Sequence, residues 1–445
     1  MCLPPPAKVG ADGPSKGSGL SVGAALKAHA LASLWLLVIV EYFGCLVALL
    51  PLRLLSEGAY LYACAAFDFY AQAAVLCVPF SWCGTDVRAA NWAACVRAKE
   101  RGTSLFMANH GSRVDWLVGL LVGFADGPRV GVRFVAEITT ALMPFVGWSR
   151  YLLGDVMLRR TFHRDAVNIK KNLDAFKRGS VDRLLFFAPE GAIADVGNEA
   201  DALYVDACRS FMEARQRKPL AYLLTPRYKG LAAFLGHPAH KGRPAQSVTM
   251  AFLTPSSSAP IKIDEKTGAV SGGVLCTRKL DDPARSVPDL TTVFAGGLTI
   301  FATISDCDFP PTENLDDPGL RDALLDDYAR KDGELAAFEK TGAYTAVGKA
   351  ADWTKVPVDH VAMNATLLSW IALSVVAVAA LRGVSLVAAL AAHGRAWAYV
   401  CLLHGATHAL GVMVSGHSRE SLLGETVFKA VFELVRGSLD HGKAS

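Results

Sequence analysis

Ala362 to Leu381 is a run of twenty residues without a charged side chain, which is about the length a helix needs to cross the hydrocarbon core of a bilayer. Lipid offers no partners for free backbone groups, so such a run is helical and the rest of the chain is arranged around a membrane. Leu31 to Leu50 is a second apolar run, interrupted by Glu41, and Tyr60 to Phe80 is a third, with Asp68 and Gln72 inside it. Those polar residues suit an interfacial or re-entrant segment almost as well as a crossing. Val384 to Val414 is a fourth, broken by His393, Gly394 and Arg395. Membrane segments also explain why a chain of 445 residues is 52% hydrophobic, well above the usual globular balance. Two hairpins would leave both termini and the middle of the chain on one face. Lysines and arginines lie on several flanks, so charge does not choose that face.

The middle of the chain alternates strand-like and helix-like stretches, the pattern of an α/β domain. Helices are predicted around Asp165 to Phe176, Glu199 to Gln216 and Asp316 to Lys340, and strands at Ser247 to Leu253 and Gly297 to Ser305. Thr254 to Thr292 is rich in serine, proline and charge and reads as a surface excursion. The resulting division is a disordered N-terminus (1–29), N-terminal membrane segments (30–81), a catalytic-type domain (82–345), a linker (346–361), C-terminal transmembrane segments (362–415) and a tail (416–445). Met1 to Gly19 lacks the apolar core of a removed signal peptide, and Leu31 to Leu50 suits an uncleaved signal-anchor.

The chemistry is concentrated where strand-like runs end. Ser104-Leu105-Phe106-Met107-Ala108 is followed by Asn109-His110-Gly111-Ser112-Arg113-Val114-Asp115-Trp116, which sets a histidine and an aspartate five positions apart. A neutral imidazole can take a proton from an alcohol, and a carboxylate on its other nitrogen fixes the tautomer and stabilises the imidazolium. On one helix, five residues separate two side chains by roughly 140°. His110 is therefore expected in a turn, Ser112 at the N-cap and Asp115 in the first helical turn. The plainer alternative is a capping box, Ser112 to Asp115, which explains the aspartate without chemistry. It does not explain His110.

Three further junctions follow: Gly154-Asp155-Val156-Met157-Leu158-Arg159-Arg160, Leu184-Leu185-Phe186-Phe187-Ala188-Pro189-Glu190-Gly191, and Tyr222-Leu223-Leu224-Thr225-Pro226-Arg227-Tyr228-Lys229-Gly230. Each reads as an extended run delivering charge at its end. Singly, each is an ordinary strand exit.

In this order after His110-x4-Asp115, the four blocks resemble the glycerolipid acyltransferases that carry the PlsC domain. The likeness is nearest to eukaryotic membrane-bound 1-acyl-sn-glycerol-3-phosphate acyltransferases and lysocardiolipin-type lysophospholipid acyltransferases. It runs from about Trp82 to Tyr344 and includes Pro144-Phe145-Val146-Gly147-Trp148-Ser149 and Tyr328-Ala329-Arg330-Lys331-Asp332. It implies a central mixed sheet flanked by helices, framed by N- and C-terminal transmembrane helices. It also implies acyl transfer from acyl-CoA, a co-substrate, to lysophosphatidic acid, with no metal or other cofactor. His110 would be the general base and Asp115 its orienting group. Arg160, Glu190, Gly191, Arg227 and Lys229 would hold the acceptor's phosphate and glycerol. Asn109, Gly111, Ser112, Arg113, Gly154, Pro189 and Pro226 would support the motifs. Oxyanion donors would be backbone amides beside Gly111 or Gly191.

Departures from the family pattern bear on the acceptor. Glu190-Gly191 is followed by Ala192-Ile193 where members acting on lysophosphatidic acid usually have Thr-Arg, and Glu137-Ile138 stands where lysines are usual. Met157 replaces a phenylalanine, and Arg160 takes the place of that motif's arginine. Fewer cations weaken a phosphomonoester site more than a diester site, so lysocardiolipin or lysophosphatidylinositol is the alternative acceptor. Arg113 also resembles the lysocardiolipin-type relatives. A catalytically weakened lipid-binding protein is a third reading. The resemblance implies an endoplasmic-reticulum or related endomembrane site, and acyl-CoA supply suggests that the domain faces the cytosol.

A formal net charge of +4 suits an anionic lipid surface, and no basic run interleaved with aromatics points to nucleic acid. The ten cysteines contain no CxxC spacing, which argues against a disulfide framework or structural zinc. His404 and His408 have helical i, i+4 spacing but no third ligand nearby, which favours polar residues facing a bundle over a metal site. Phosphate-loop, nucleophile-elbow and HExxH signatures are absent.

Overall fold

The computed structural model describes residues 22–92, 104–124, 130–159, 161–178, 182–193, 199–240, 245–255, 260–264, 268–282, 285, 287–307, 309, 312, 314–342, 353–383 and 385–396. Met1–Gly19, Arg160, His404, His408, residues 346–352 of the 346–361 linker, the end of the fourth apolar run and the 416–445 tail lie outside them.

The chain opens with α1 (Val22–Leu55) and α2 (Glu57–Leu76), which a π-helical turn, Cys77–Trp82, prolongs. Ser56 separates the two helices and caps the second, its hydroxyl accepting from the Ala59 amide at 3.2 Å. The domain then runs β1 (Asp86–Ala90), β2 (Ser104–Ala108), α3 (Trp116–Phe124), β3 (Val130–Glu137), a 3-10 turn (Ile138–Leu142), α4 (Val146–Leu153), β4 (Val156–Leu158), α5 (Phe162–Arg178), β5 (Asp182–Phe187), α6 (Glu199–Glu213) and α7 (Tyr228–Leu235). It continues with β6 (Ala245–Thr254), the short strands β7 (Lys262–Ile263), β8 (Val270–Ser271) and β9 (Val274–Leu275), α8 (Leu290–Ala295), β10 (Thr299–Cys307), α9 (Pro318–Thr341), β11 (Thr354–Lys355) and α10 (His360–Arg382).

Among the described residues the main sheet has nine strands, ordered β11-β1-β10-β6-β2-β5-β3-β4, with β9 also paired to β6. The half from β6 to β4 is parallel throughout, whereas β10 runs antiparallel to β6 and β11 to β1. This is the mixed sheet the sequence led us to expect. Helices cover both faces, so its central strands are apolar on both sides. Phe106, Leu184 and Phe186 point into one cluster with Trp35 of α1 and Leu117 of α3. Leu105, Leu185 and Phe187 point into the other with Ile169 of α5 and Leu324 of α9. The two-residue period of a strand thus decides which layer each side chain holds.

Among the described residues three helices are long and apolar enough to cross a membrane: Leu26–Leu55, Glu57–Trp82 and His360–Ala377. They differ in surroundings. The α2 stretch is 67% buried in protein and that of α10 only 17%, so the α10 surface is the one most in need of lipid. Of the fourth apolar run, residues 386–396 are helical.

The run Tyr222–Leu224, predicted as a strand, joins no sheet. Its amides are taken instead by carboxylates. Asp332 on α9 accepts from Ala221, Tyr222 and Leu223 at 2.7 to 3.3 Å, and Glu190 accepts from Leu224 at 3.0 Å. Backbone donors satisfied by side chains need no neighbouring strand. The supposed surface excursion is also partly interior: the Cys276 amide donates to Phe252 O at 2.8 Å, and Thr277 and Arg278 are buried.

Candidate active site

β2 lies in the middle of the sheet, so its exit is held from both sides. The Asn109 side chain continues the ladder to β6, donating to Met250 O at 3.1 Å and accepting from Met250 N at 2.7 Å. Ser112 accepts from Val114 N at 3.1 Å and donates to Pro288 O at 2.9 Å. That stitches the turn closed just before α3 begins at Trp116. Asp115 therefore sits in the turn leading into the helix, one residue ahead of the expected place.

His110 Nδ1 and Asp115 Oδ2 are 2.6 Å apart. The carboxylate goes to the imidazole, which separates this geometry from the capping-box alternative. Asp115 is 2% exposed and His110 27%, an arrangement in which the acid is dry and the base can be reached. Burial disfavours the imidazolium, but the Asp115 carboxylate and the more distant Glu190 outweigh it, so the His110 pKa is raised above the ordinary histidine value. A neutral ring that donates Nδ1–H to Asp115 leaves Nε2 with its lone pair to accept a proton.

His110 and Asp115 border a cavity of about 890 Å³. One wall comes from Trp35, Ile39 and Tyr42 of α1 and from Ala71 and Val75 of α2. Phe134, Phe186, Met143 and Val146 extend the apolar lining. Between Met143 and Val146 the chain makes a tight turn, Val146 N donating to Pro144 O at 2.7 Å, with Phe145 at φ +61°. This strained conformation lays the Phe145 ring against Phe43 of α1, their centroids 5.8 Å apart.

The cavity also meets a buried charge cluster that joins α1 and α2 to the sheet. Asp68 accepts from Tyr42 Oη at 2.7 Å and from Arg133 Nη1 at 2.8 Å. Arg150 holds Asp155 through two bonds of 2.7 Å and lies 3.8 Å from Asp68. Burial raises the Asp155 pKa despite that guanidinium.

The cationic side is formed by the third junction. Arg227 and Lys229 both line the cavity. The Arg227 guanidinium donates to Tyr204 Oη at 3.2 Å, and its amide donates to Pro189 O at 2.9 Å, tying two motifs together. Lys229 Nζ lies 2.6 Å from Asp316. Pro226 lines the cavity beside them, as does Pro189. Gly154 ends α4 at φ +85° and Gly191 turns at φ +68°, conformations that favour glycine. The Gly191 amide is committed to Ala188 O at 3.0 Å. Arg113 packs its backbone on Pro288, donating to Pro288 O at 3.1 Å.

Glu190 departs from expectation. It is completely buried and does not border the cavity. One oxygen accepts the His110 amide at 2.7 Å and the other accepts the Leu224 amide and the guanidinium of Arg278. Its carboxylate braces two loops rather than facing an acceptor. Sequence reading missed Arg278 because it lies 88 positions from Glu190, in a stretch with no motif.

Around this central mixed sheet, with its His–Asp pair at the exit of β2 and the apolar cavity beside it, residues 95–231 match the family model described as Acyltransferase. A similar protein is 1-acyl-sn-glycerol-3-phosphate acyltransferase epsilon of Mus musculus, 24% identical over 131 residues. That match covers 29% of this chain and 35% of the mouse protein, so the chain spans about a third of its relative's length.

Proposed function

We propose that this protein is a membrane-bound glycerolipid acyltransferase that moves a fatty acyl group from acyl-CoA to the free hydroxyl of 1-acyl-sn-glycerol-3-phosphate, forming phosphatidic acid. The observation that carries the reading is the 2.6 Å pair of His110 and Asp115 on the wall of a cavity lined by apolar side chains. His110 Nε2 takes the hydroxyl proton as the acceptor oxygen attacks the thioester carbonyl. The C–O bond forms, the C–S bond then breaks, and the proton passes from the imidazolium to the departing CoA thiolate. A thioester is already activated, so no acyl-enzyme is needed. General base catalysis of this kind contributes roughly 10²–10⁴ in rate, and Asp115 orients the ring as in serine-protease triads. Because the Gly191 amide is engaged in its turn and the His110 amide on Glu190, the amides of Gly111 and Ser112 are the better oxyanion donors. The apolar lining suits fatty chains, and Arg227 and Lys229 suit the acceptor phosphate. The domain would face the cytosol from the endoplasmic reticulum or a related endomembrane, where acyl-CoA is available.

A second acceptor class has its own support. Glu137 and Ile193, positions where cations are missing, both border the cavity. A lysophospholipid diester, such as lysocardiolipin or lysophosphatidylinositol, would tolerate that loss better than a phosphomonoester. The deciding experiment offers radiolabelled acyl-CoA and a panel of both acceptor classes to the purified chain. Preference for lysophosphatidic acid supports the first reading and preference for a diester the second. No transfer to any acceptor from folded protein, across acyl-CoA lengths, would refute both and leave a lipid-binding role.

A further inference from the structure

We infer that Arg278 is a positioning residue of the catalytic centre: it holds the Glu190 carboxylate in place, and Glu190 carries the backbone amide of His110. The inference rests on His110 acting as the base and extends that reading to a residue outside the matched segment.

Geometry makes the case. Glu190 is 0% exposed and Arg278 1%. The guanidinium reaches Glu190 Oε2 through Nη2 and donates through Nε to Tyr222 O at 3.2 Å. The seat of Arg278 is rigid. Thr277 Oγ1 accepts from Phe252 N of β6 at 2.9 Å, and Leu280 N donates to Ala221 O at 2.7 Å. β6 is also the strand to which Asn109, the neighbour of His110, is bonded. The base and its remote support therefore share one rigid strand.

Arg278 is poorly explained as packing. A buried ion pair is weak evidence for stability, because an apolar pair of similar volume is often as good. Here the arginine also leaves Nη1 buried without a hydrogen-bond partner, which adds a cost. Its use is better found in Glu190. The guanidinium fixes Oε2, the oxygen that also accepts the Leu224 amide, and so holds Oε1 on the His110 amide. Both amides stay bonded and the loop carrying His110 stays anchored.

The same charges act on the imidazole. Glu190 favours the imidazolium, and Arg278 opposes it. The charged and titratable groups around the pair are Asp115 before α3, Arg278 in the 276–280 segment, Tyr328 and Lys331 of α9, and Arg227 beside Gly191. Among them Arg278 and Glu190 form the balanced couple, so removing either alone changes the net charge felt by His110, in opposite senses.

The test is the pH dependence of kcat/KM for acyl transfer by the purified full chain, as wild type, Arg278→Met, Glu190→Gln, the double variant, Arg278→Lys and His110→Ala. Arg278→Met should move the acidic limb to higher pH, costing on the order of tenfold in rate below it. Glu190→Gln should move the limb to lower pH, and the double variant should return it toward wild type. Arg278→Lys keeps the charge and loses the fork, so kcat should fall with the limb unmoved. Losses in rate with every limb where wild type has it would overturn the inference, since a merely structural arginine predicts that result. Should Arg278→Met not be recovered folded, an unmoved limb in Glu190→Gln would be enough to overturn it. Retained activity in His110→Ala would instead refute the base, a separate failure.

Discussion

Replacing Asp68 with alanine tests how the apolar helices are mounted on the catalytic domain. Asp68 on α2 is 1% exposed and pairs at 2.8 Å with Arg133 of β3, which is 0% exposed. It also accepts from Tyr42 of α1 at 2.7 Å, so a single carboxylate joins both helices to the sheet. Asp68 and Asp155 balance Arg133 and Arg150, and losing Asp68 leaves the buried Arg133 and the partly buried Arg150 facing one carboxylate. Breaking a buried pair from one side costs about 3–5 kcal/mol, most of it the penalty of the abandoned charge. The Tyr42 hydroxyl loses its acceptor as well, for about 1–3 kcal/mol that is not fully additive. Chemical denaturation of the purified protein in detergent should therefore show Asp68→Ala destabilised by about 4 kcal/mol. Asp68→Ala combined with Arg133→Met should recover a large part of that, because the abandoned charge is gone. A loss below about 1 kcal/mol, or strict additivity of the two changes, would refute the reasoning.

Three other substitutions probe the site and its supports. Asp115→Asn removes the charge that raises the His110 pKa, so the acidic limb of the rate profile should move down while kcat falls roughly 10²–10⁴-fold. In wild type the neutral base is lost as pH falls through the raised pKa, so activity should decline above the ordinary histidine range. The stability contributed by the protonated pair should run the opposite way, complete below the ordinary value and fading as pH rises through the raised one, which pH-dependent unfolding would register. Gly147→Ala places a Cβ 1.9 Å from Thr140 O, and calorimetry should show a loss of about 1–3 kcal/mol from forcing the 3-10 turn off α4. Asp332→Ala strips acceptors from the amides of residues 221–223, and hydrogen exchange should rise there first.

What the sequence disclosed and what it withheld divide along physical lines. His110 and Asp115 were legible because a histidine and an aspartate five residues apart can meet only across a turn, a local constraint. The strands β6 and β10 and the helices α5, α6 and α9 were legible because each carries a long periodic pattern. Tyr222–Leu224 was misread because an apolar run bounded by proline looks like a strand whether its amides meet a neighbouring strand or the carboxylate of Asp332. Glu190 was placed in the acceptor site because Pro-Glu-Gly marks a strand exit without saying where the carboxylate turns. Arg278, its partner, carries no local signal, since an arginine beside Lys279 and just ahead of Asp281 and Asp282 reads as part of a solvated charged stretch.

The central claim is that His110 takes the proton from the acceptor hydroxyl, and the most direct measurement is transfer of a radiolabelled acyl group from acyl-CoA to lysophosphatidic acid by purified His110→Ala. Folding and membrane association should be retained while transfer falls by roughly 10²–10⁴-fold. Transfer within tenfold of wild type by the folded variant would contradict the account.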